Sequence, residues 1–168
     1  MSRQQSTGFT LLELMVTIVI MAILLALALP SFQSSLRSNR VATGTNELLA
    51  SLSLARSEGI RSTRGGGVCS SADGATCGGD WDSGWIVWTE VDGDGVLDAG
   101  ETVVRYSQGK QQLDVEGTAA EIAFDGRGRI MASNGEAIDL APAGQTEPAR
   151  CIQITVTGQT RMLRTACP

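Results

Sequence analysis

The run "GFTLLELMVTIVIMAILLALALP" constrains this chain more than any other stretch. Residues 9–29 carry almost no polar side chain, and Pro30 follows at once. As an α-helix the run spans roughly 30 Å, the thickness of a bilayer's hydrocarbon core. A secretory signal peptide has a shorter apolar core and a small-residue cleavage site, whereas here "ALA" lies inside the run and leads into "LP". A buried core helix that is apolar on every side needs a larger domain than the rest of a 168-residue chain supplies. The expectation is a membrane helix. Arg3 stands before it and Arg37 and Arg40 after it, so flanking charge does not set its orientation.

Glu13 interrupts this run near its start. A carboxylate there needs a partner. Cleavage between Gly8 and Phe9 would create an ammonium one helical turn away, and the polar leader "MSRQQSTG" suits removal. The amine of a neighbouring chain, staggered along the helix axis, would neutralise Glu13 and fix the packing register.

Beyond the run, Val41, Leu48, Leu49, Leu52, Ala55 and Ile60 recur at three- and four-residue spacing and predict one apolar helix face. Arg37, Arg40, Arg56 and Arg61 fall mostly off it and read as a solvated side. "GGG" at 65–67 is expected to end the helix near residue 63. The period then changes. "GWIVWTEV", "TVVRYS", "EIAF", "RIMAS", "EAIDL", "CIQITV" and "TRMLRT" are short, β-rich and bounded by Gly, Asp or Asn, which predicts about seven strands. "SSADGATCGGDWDSG" reads as a surface loop. The expected class is α+β: a long N-terminal helix packed on an antiparallel β-sheet or β-sandwich domain. Its parts are a leader (1–8), a transmembrane half (9–29), an amphipathic half (30–64) and a β-rich domain (65–168).

"GFTLLELMVTIVIMAILLALALP" resembles the class III signal of type IV pilins and type II secretion pseudopilins. The resemblance implies that a prepilin peptidase cuts after Gly8, that Phe9 is then N-methylated, that Glu13 guides docking and that Pro30 bends the helix. It also implies a single pass through the inner membrane, with the leader cytoplasmic and the globular domain periplasmic before entry into a surface filament. "ARSEGIRSTRGGGVCSSADGATC", "GWIVWTEVDGDGVLDAGETVVR", "IAFDGRGRI" and "RCIQITVTGQTRMLRTACP", in that order, resemble the FimT/FimU-type minor pilins, which share their domain with the H-type pseudopilin. That implies a low-abundance subunit that primes assembly at or near the filament tip, with the major pilin and other minor pilins as partners.

The four cysteines lie on the side this resemblance places outside the cytoplasm, where thiols oxidise. Their spacing pairs Cys69 with Cys77 and Cys151 with Cys167, one of three possible pairings. Zinc fits poorly, because the spacing is not of the CxxC kind and the chain has no histidine.

"EVDGDGVLDAGE" lies near a calcium-loop template, with Asp92, Asp94, Asp98 and Glu101 as candidate ligands. Glu90 stands where the template prefers Asp, and strands replace the flanking helices. A turn rich in Asp and Gly is therefore the expected reading. No metal or other cofactor is expected.

Without histidine, His-dependent catalytic triads are excluded, and "GRGR" at 126–129 lacks the context of a phosphate loop. No catalytic residue is assigned. A net charge of −5 also argues against wholesale nucleic-acid binding. The tail from Arg150 onward is nevertheless free of acids, and all basic residues but Lys110 are arginine. Some relatives in the resembled family bind double-stranded DNA through a carboxy-terminal Gly-Arg-x-Arg motif. Here Gly158 and Arg161 match it, Gln159 replaces its first arginine, and Arg164 adds a charge. Arg161 and Arg164 are thus the DNA candidates, with weak, sequence-independent contact expected. The alternatives to a priming role are a tip DNA receptor for natural transformation and an H-type pseudopilin of type II secretion.

Overall fold

The computed structural model describes residues 9–168. Gly8 and the rest of the expected leader, residues 1–8, lie outside the described residues. The chain divides into two units, the first ending at Leu36 and the second running Arg37–Pro168.

Helix α1 (Leu11–Ser62) contributes to both. In the first unit every side chain over residues 9–36 is exposed, although over residues 9–29 all but Thr10, Glu13 and Thr17 are apolar. Pro30 lies inside the helix, where it leaves the carbonyl of Ala26 without its intrahelical donor.

The second unit is a two-sheet α+β domain. After α1 come β1 (Gly65–Ser70), a 3-10 turn (Trp81–Ser83), β2 (Gly84–Thr89), β3 (Thr102–Gln108), β4 (Leu113–Gly117), β5 (Glu121–Asp125), β6 (Glu136–Pro142), β7 (Arg150–Ile154) and β8 (Thr160–Leu163). They form two four-stranded sheets in the orders β3-β2-β1-β5 and β4-β6-β7-β8. All the strand pairs are antiparallel, so hairpins and short crossings suffice to connect them.

The upper part of α1 lies against both sheets. Val41, Gly44, Thr45, Leu48, Ser51, Leu52, Ala55 and Gly59 are its buried residues, recurring every three or four positions as a single helical face requires. They share one core with Val68, Trp85, Val87, Ile122 and Phe124 of the first sheet, and with Leu113, Val115, Ile138, Leu140, Ile152 and Ile154 of the second. Polar atoms on this face are satisfied within the helix or by the first sheet: Thr45 Oγ1 donates to Val41 O, and Ser51 Oγ accepts the Trp85 indole N–H at 3.0 Å.

Ile60 departs from the expected face, being 48% exposed. At 100° per residue it lies well round from Ala55, and Gly59 takes the inner position. A Cβ on Gly59 would come within 3.2 Å of the Gly65 backbone, so helix and first strand meet at glycine.

The glycine triplet does not itself end the helix. Ser62 is the last helical residue, Thr63 adopts φ 61°, and Ser62 Oγ accepts the N–H groups of Arg64 and Gly65. Residues 65–67 already belong to β1, which is buried along its whole length. Glycine fits there because a Cβ on Gly66 would sit 2.9 Å from Trp88 O, and one on Gly67 would sit 2.6 Å from the Trp88 ring.

Three other expectations change. "RIMAS" forms no strand, since Ile130 makes only an isolated bridge to Phe124. β4, "LDVEG", is a strand that the sequence reading did not include. Within the expected surface loop, Trp81 is 4% exposed and joins the core.

The arginines of the helix also differ from one another. Arg56 is not merely solvated: its Nε donates to Gly128 O at 2.8 Å and its Nη2 to Thr157 O at 3.2 Å, tying α1 to two turns. Arg61 pairs with Glu58 one turn back.

The fit of Trp88 over β1 is directly testable. Gly67→Ala places a methyl group against a fully buried indole, an overpacking expected to cost about 1–3 kcal/mol. Chemical denaturation of the full chain in detergent measures it, and a midpoint equal to wild type would contradict this packing.

Candidate functional site: the amino-terminal helix and the disulfide-bound domain

The amino-terminal feature is a capped, exposed, apolar helix. Phe9 is 81% exposed and precedes the first helical turn. Thr10 is the N-cap: its Oγ1 accepts the Glu13 N–H at 3.2 Å, and its carbonyl accepts the Leu14 N–H. The sequence reading omitted Thr10, although Thr-x-x-Glu is the legible start of a capping box. Glu13 lies exposed in the first turn, where a carboxylate is also favoured by the helix dipole. The dipole is a local reason for a carboxylate at this position; the Thr10 bond uses the Glu13 backbone N–H and does not require one. Phe9, Glu13 and Pro30 share α1 or its cap, strung along the helix rather than converging on a pocket.

The cysteines form two bridges in the second unit, Cys69–Cys77 and Cys151–Cys167. Cys69 lies on β1 and points, with Ile86 and Trp88, into a small cluster on the sheet face away from α1. Asp73 pins the loop closed by this bridge. It accepts the Thr76 and Ala75 N–H groups and the Thr76 hydroxyl, which together hold its carboxyl far below the usual range. Cys151 lies on β7, and its bridge fastens the segment that follows β8.

Arg161 sits on β8 opposite Gln153, and Arg164 lies just past the end of that strand. Both are exposed. Gly158 occupies the preceding turn at φ 74°, where a Cβ would collide with Gly128 O. Its turn is therefore packed against the turn that carries Arg127 and Arg129. Arg129 is neutralised by Asp125 at 2.9 Å.

The candidate calcium loop is held by carboxylates turned onto its own backbone. Glu90, 2% exposed, accepts the N–H groups of Val91, Asp92 and Gly93 through Oε1 and that of Gly95 through Oε2. Glu101 accepts the N–H groups of Val91 and Asp98. Asp92 Oδ1 accepts from Asp94, and Asp94 Oδ1 from Val96. Oxygens of Glu90, Asp92 and Asp94 come close enough together to share an ion, whereas Asp98 and Glu101 do not join that group. The sequence reading had placed Glu90 at an ill-fitting ligand position; its buried carboxylate is the anchor of the loop.

Glu90 and Glu101 both reach the Val91 N–H, so two carboxyl groups meet there. Burial, followed by the hydrogen bond it shares with Glu90, pushes the Glu101 carboxyl up to about 7. Burial also opposes ionisation of Glu90, but the Glu101 hydrogen bond and the N–H groups of Gly93, Gly95 and Val91 outweigh it and hold that carboxyl at about 2. Because the folded state raises Glu101, its stabilising contribution is complete below the ordinary glutamate range and is lost as pH rises through about 7. Thermal midpoints of the full chain in detergent should therefore fall between about pH 5 and 7.5, and Glu101→Gln should flatten that slope. An equal slope in both proteins would contradict the shared proton.

Family comparison accounts for most of the chain. The model described as type II transport protein GspH matches residues 44–159, and the prokaryotic N-terminal methylation motif matches residues 3–29. Among solved structures, the type IV minor pilin FimU of Pseudomonas aeruginosa strain PAO1 is similar at TM-score 0.60 and 21% identity, covering 75% of this chain and 90% of that one. The minor pseudopilin EpsH of the Vibrio cholerae type 2 secretion system is similar at TM-score 0.53 and 16% identity, covering 74% and 96%. At those identities the likeness is one of fold. No curated protein matches the chain. With the GspH match spanning the domain and the methylation motif spanning the apolar helix, the chain belongs to the GspH family of pilin-like minor pilins and pseudopilins.

Proposed function

We propose that the chain is a minor pilin that primes type IV pilus assembly and sits at or near the filament tip. The observation that carries this reading is the part of α1 up to Leu36, exposed along its whole length and apolar to residue 29 but for Glu13 and Thr17, overlapping the methylation motif and preceding a GspH domain. Such a surface is costly in water and has two natural covers: lipid before assembly, and the helices of other subunits after it.

The steps follow from the residues. Prepilin peptidase removes the leader after Gly8, and the new terminus at Phe9 is N-methylated. The membrane anchors the subunit by residues 9–29, with the disulfide-bonded domain on the periplasmic side. Glu13 of one subunit pairs with the amine of its neighbour. This matching of charge inside an apolar environment fixes the axial stagger of helices that otherwise slide freely. Pro30 supplies the place where α1 bends to fit the filament. Nothing in these steps is catalytic, and the partners are the peptidase, other minor pilins and the major pilin. The FimU likeness supports the pilus setting; the GspH model and EpsH support a secretion pseudopilus as the alternative machine.

A DNA receptor role is a second reading, favoured by one observation: Arg161 and Arg164 are both exposed, and neither enters an ion pair among the described residues. Their number limits the affinity. Two phosphate contacts imply weak binding with a log–log salt slope of about −1.8. A gel shift of the full chain in detergent with duplex DNA at low salt, with and without Arg161→Gln, measures it. Tight binding abolished by that substitution would rank this reading first.

The priming role is tested in a strain whose only copy carries Glu13→Val. Insertion and cleavage should be unchanged, since neither uses the carboxylate, while surface filaments are lost or strongly reduced. Wild-type filament counts would refute the pairing.

A further inference from the structure

β4 is an edge strand, with β6 on one side only. Thr118 N–H donates to Ala137 O and Ala143 N–H to Gln112 O, in a register that sets Val115 opposite Leu140 and Glu116 opposite Asp139. In an antiparallel pair, alternate residues turn both backbone groups toward the partner. Gln112, Asp114, Glu116 and Thr118 therefore face β6, while Leu113, Val115 and Gly117 turn away from it. The Leu113 N–H is satisfied by Lys110 O. Val115 and Gly117 border a cleft of about 510 Å³ between β4 and the 3-10 turn at Trp81–Ser83.

The margins of this cleft are acidic. Asp80 and Asp82 stand on the turn side, Asp114 and Glu116 on the strand side. All four are exposed, and none enters an ion pair among the described residues. Asp114 accepts the Gly144 N–H. Lys110, on the adjoining cleft that shares Asp82 and Asp114, is engaged by Glu47 and does not neutralise them.

Unpaired strand groups recruit an extended chain, and the charge around them decides which chain. Four unneutralised carboxylates favour a segment bearing Lys or Arg and repel a second copy of this chain, whose net charge is −5. We propose that the β4 edge docks an extended, Lys- or Arg-bearing segment of a neighbouring filament subunit, which adds a strand beside β4. The source of that segment rests on the filament reading above; the edge and its charge do not.

The test uses the full chain in dodecylmaltoside micelles and a synthetic peptide, Lys-Thr-Lys-Thr-Lys-Thr-Lys, with its Glu-Thr counterpart as control. The lysine peptide should bind and slow hydrogen exchange at the Val115 and Gly117 amides, and the glutamate peptide should do neither. Asp82→Lys with Glu116→Lys should weaken binding by about tenfold or more while leaving the thermal midpoint unchanged. In cells, a photo-crosslinker at position 116 should reach a Lys- or Arg-bearing segment of another filament subunit. Binding that ignores charge reversal, or leaves both amides exchanging at their free rate, overturns the proposal, as does a crosslink only to another copy of this chain. Because the peptide assay needs no assembly, its result stays readable even if Glu13→Val shows the priming role to be wrong.

Discussion

The fold depends on how closely the upper part of α1 approaches β1. Gly59 on the helix and Gly66 on the strand remove the side chains that would hold the two backbones apart: a Cβ on Gly59 would lie 3.2 Å from the Gly65 backbone, and one on Gly66 would lie 3.1 Å from Ala55 O. With the helix seated there, Leu48 and Leu52 reach the core and Ser51 meets the Trp85 indole. The second sheet closes on the same helix face, where Gly44 lies over Leu113 and Leu140. Gly67 extends the logic to the far side of the sheet: its missing side chain gives Trp88 a floor, over which the Cys69–Cys77 bridge and Leu97 complete a second, smaller cluster. One glycine-rich strand thus organises both faces of a sheet, and the domain has little tolerance for volume along it.

The lower part of α1 obeys the opposite rule. Its side chains from residue 9 to 36 are all exposed among the described residues, and those of residues 9–29 are the most apolar run in the sequence. A domain built to fold alone would not carry such a surface. A subunit that passes from lipid into a bundle of like helices requires it, because in either setting the apolar side chains stay out of water. Glu13 is the one charged side chain on this surface, and on the proposed reading it is where a neighbour's position is specified rather than merely tolerated. The acidic edge at β4 would add a second specified contact on the domain itself.

Much of this was legible in the sequence, and the exceptions have physical causes. The apolar run and the methylation motif over residues 3–29 were plain because length and hydropathy show directly in composition and the motif keeps its residues in a fixed order. The helix face was legible up to Ala55, then lost at Ile60, because a glycine carries no hydrophobic signal even when it takes the inner position. β1 was invisible for the same reason: three consecutive glycines read as a stop, yet they are a buried strand whose side chains are missing by requirement. β4 was missed because "LDVEG" alternates charge with only two apolar residues, enough for an edge strand and too little for a pattern. The loop after β2 was read correctly as rich in turn residues, but the role of Glu90 was not. A buried carboxylate serving four backbone N–H groups looks, in sequence, like any other acid in an acidic loop.

On the proposed reading this chain becomes a filament subunit through its amino-terminal helix. Intact-mass spectrometry of the protein recovered from sheared, purified filaments tests it most directly. The account predicts a chain beginning at N-methylated Phe9, with both disulfides formed. A filament-borne chain that still carries residues 1–8, or the absence of the chain from filaments of a strain that makes it, would contradict the account.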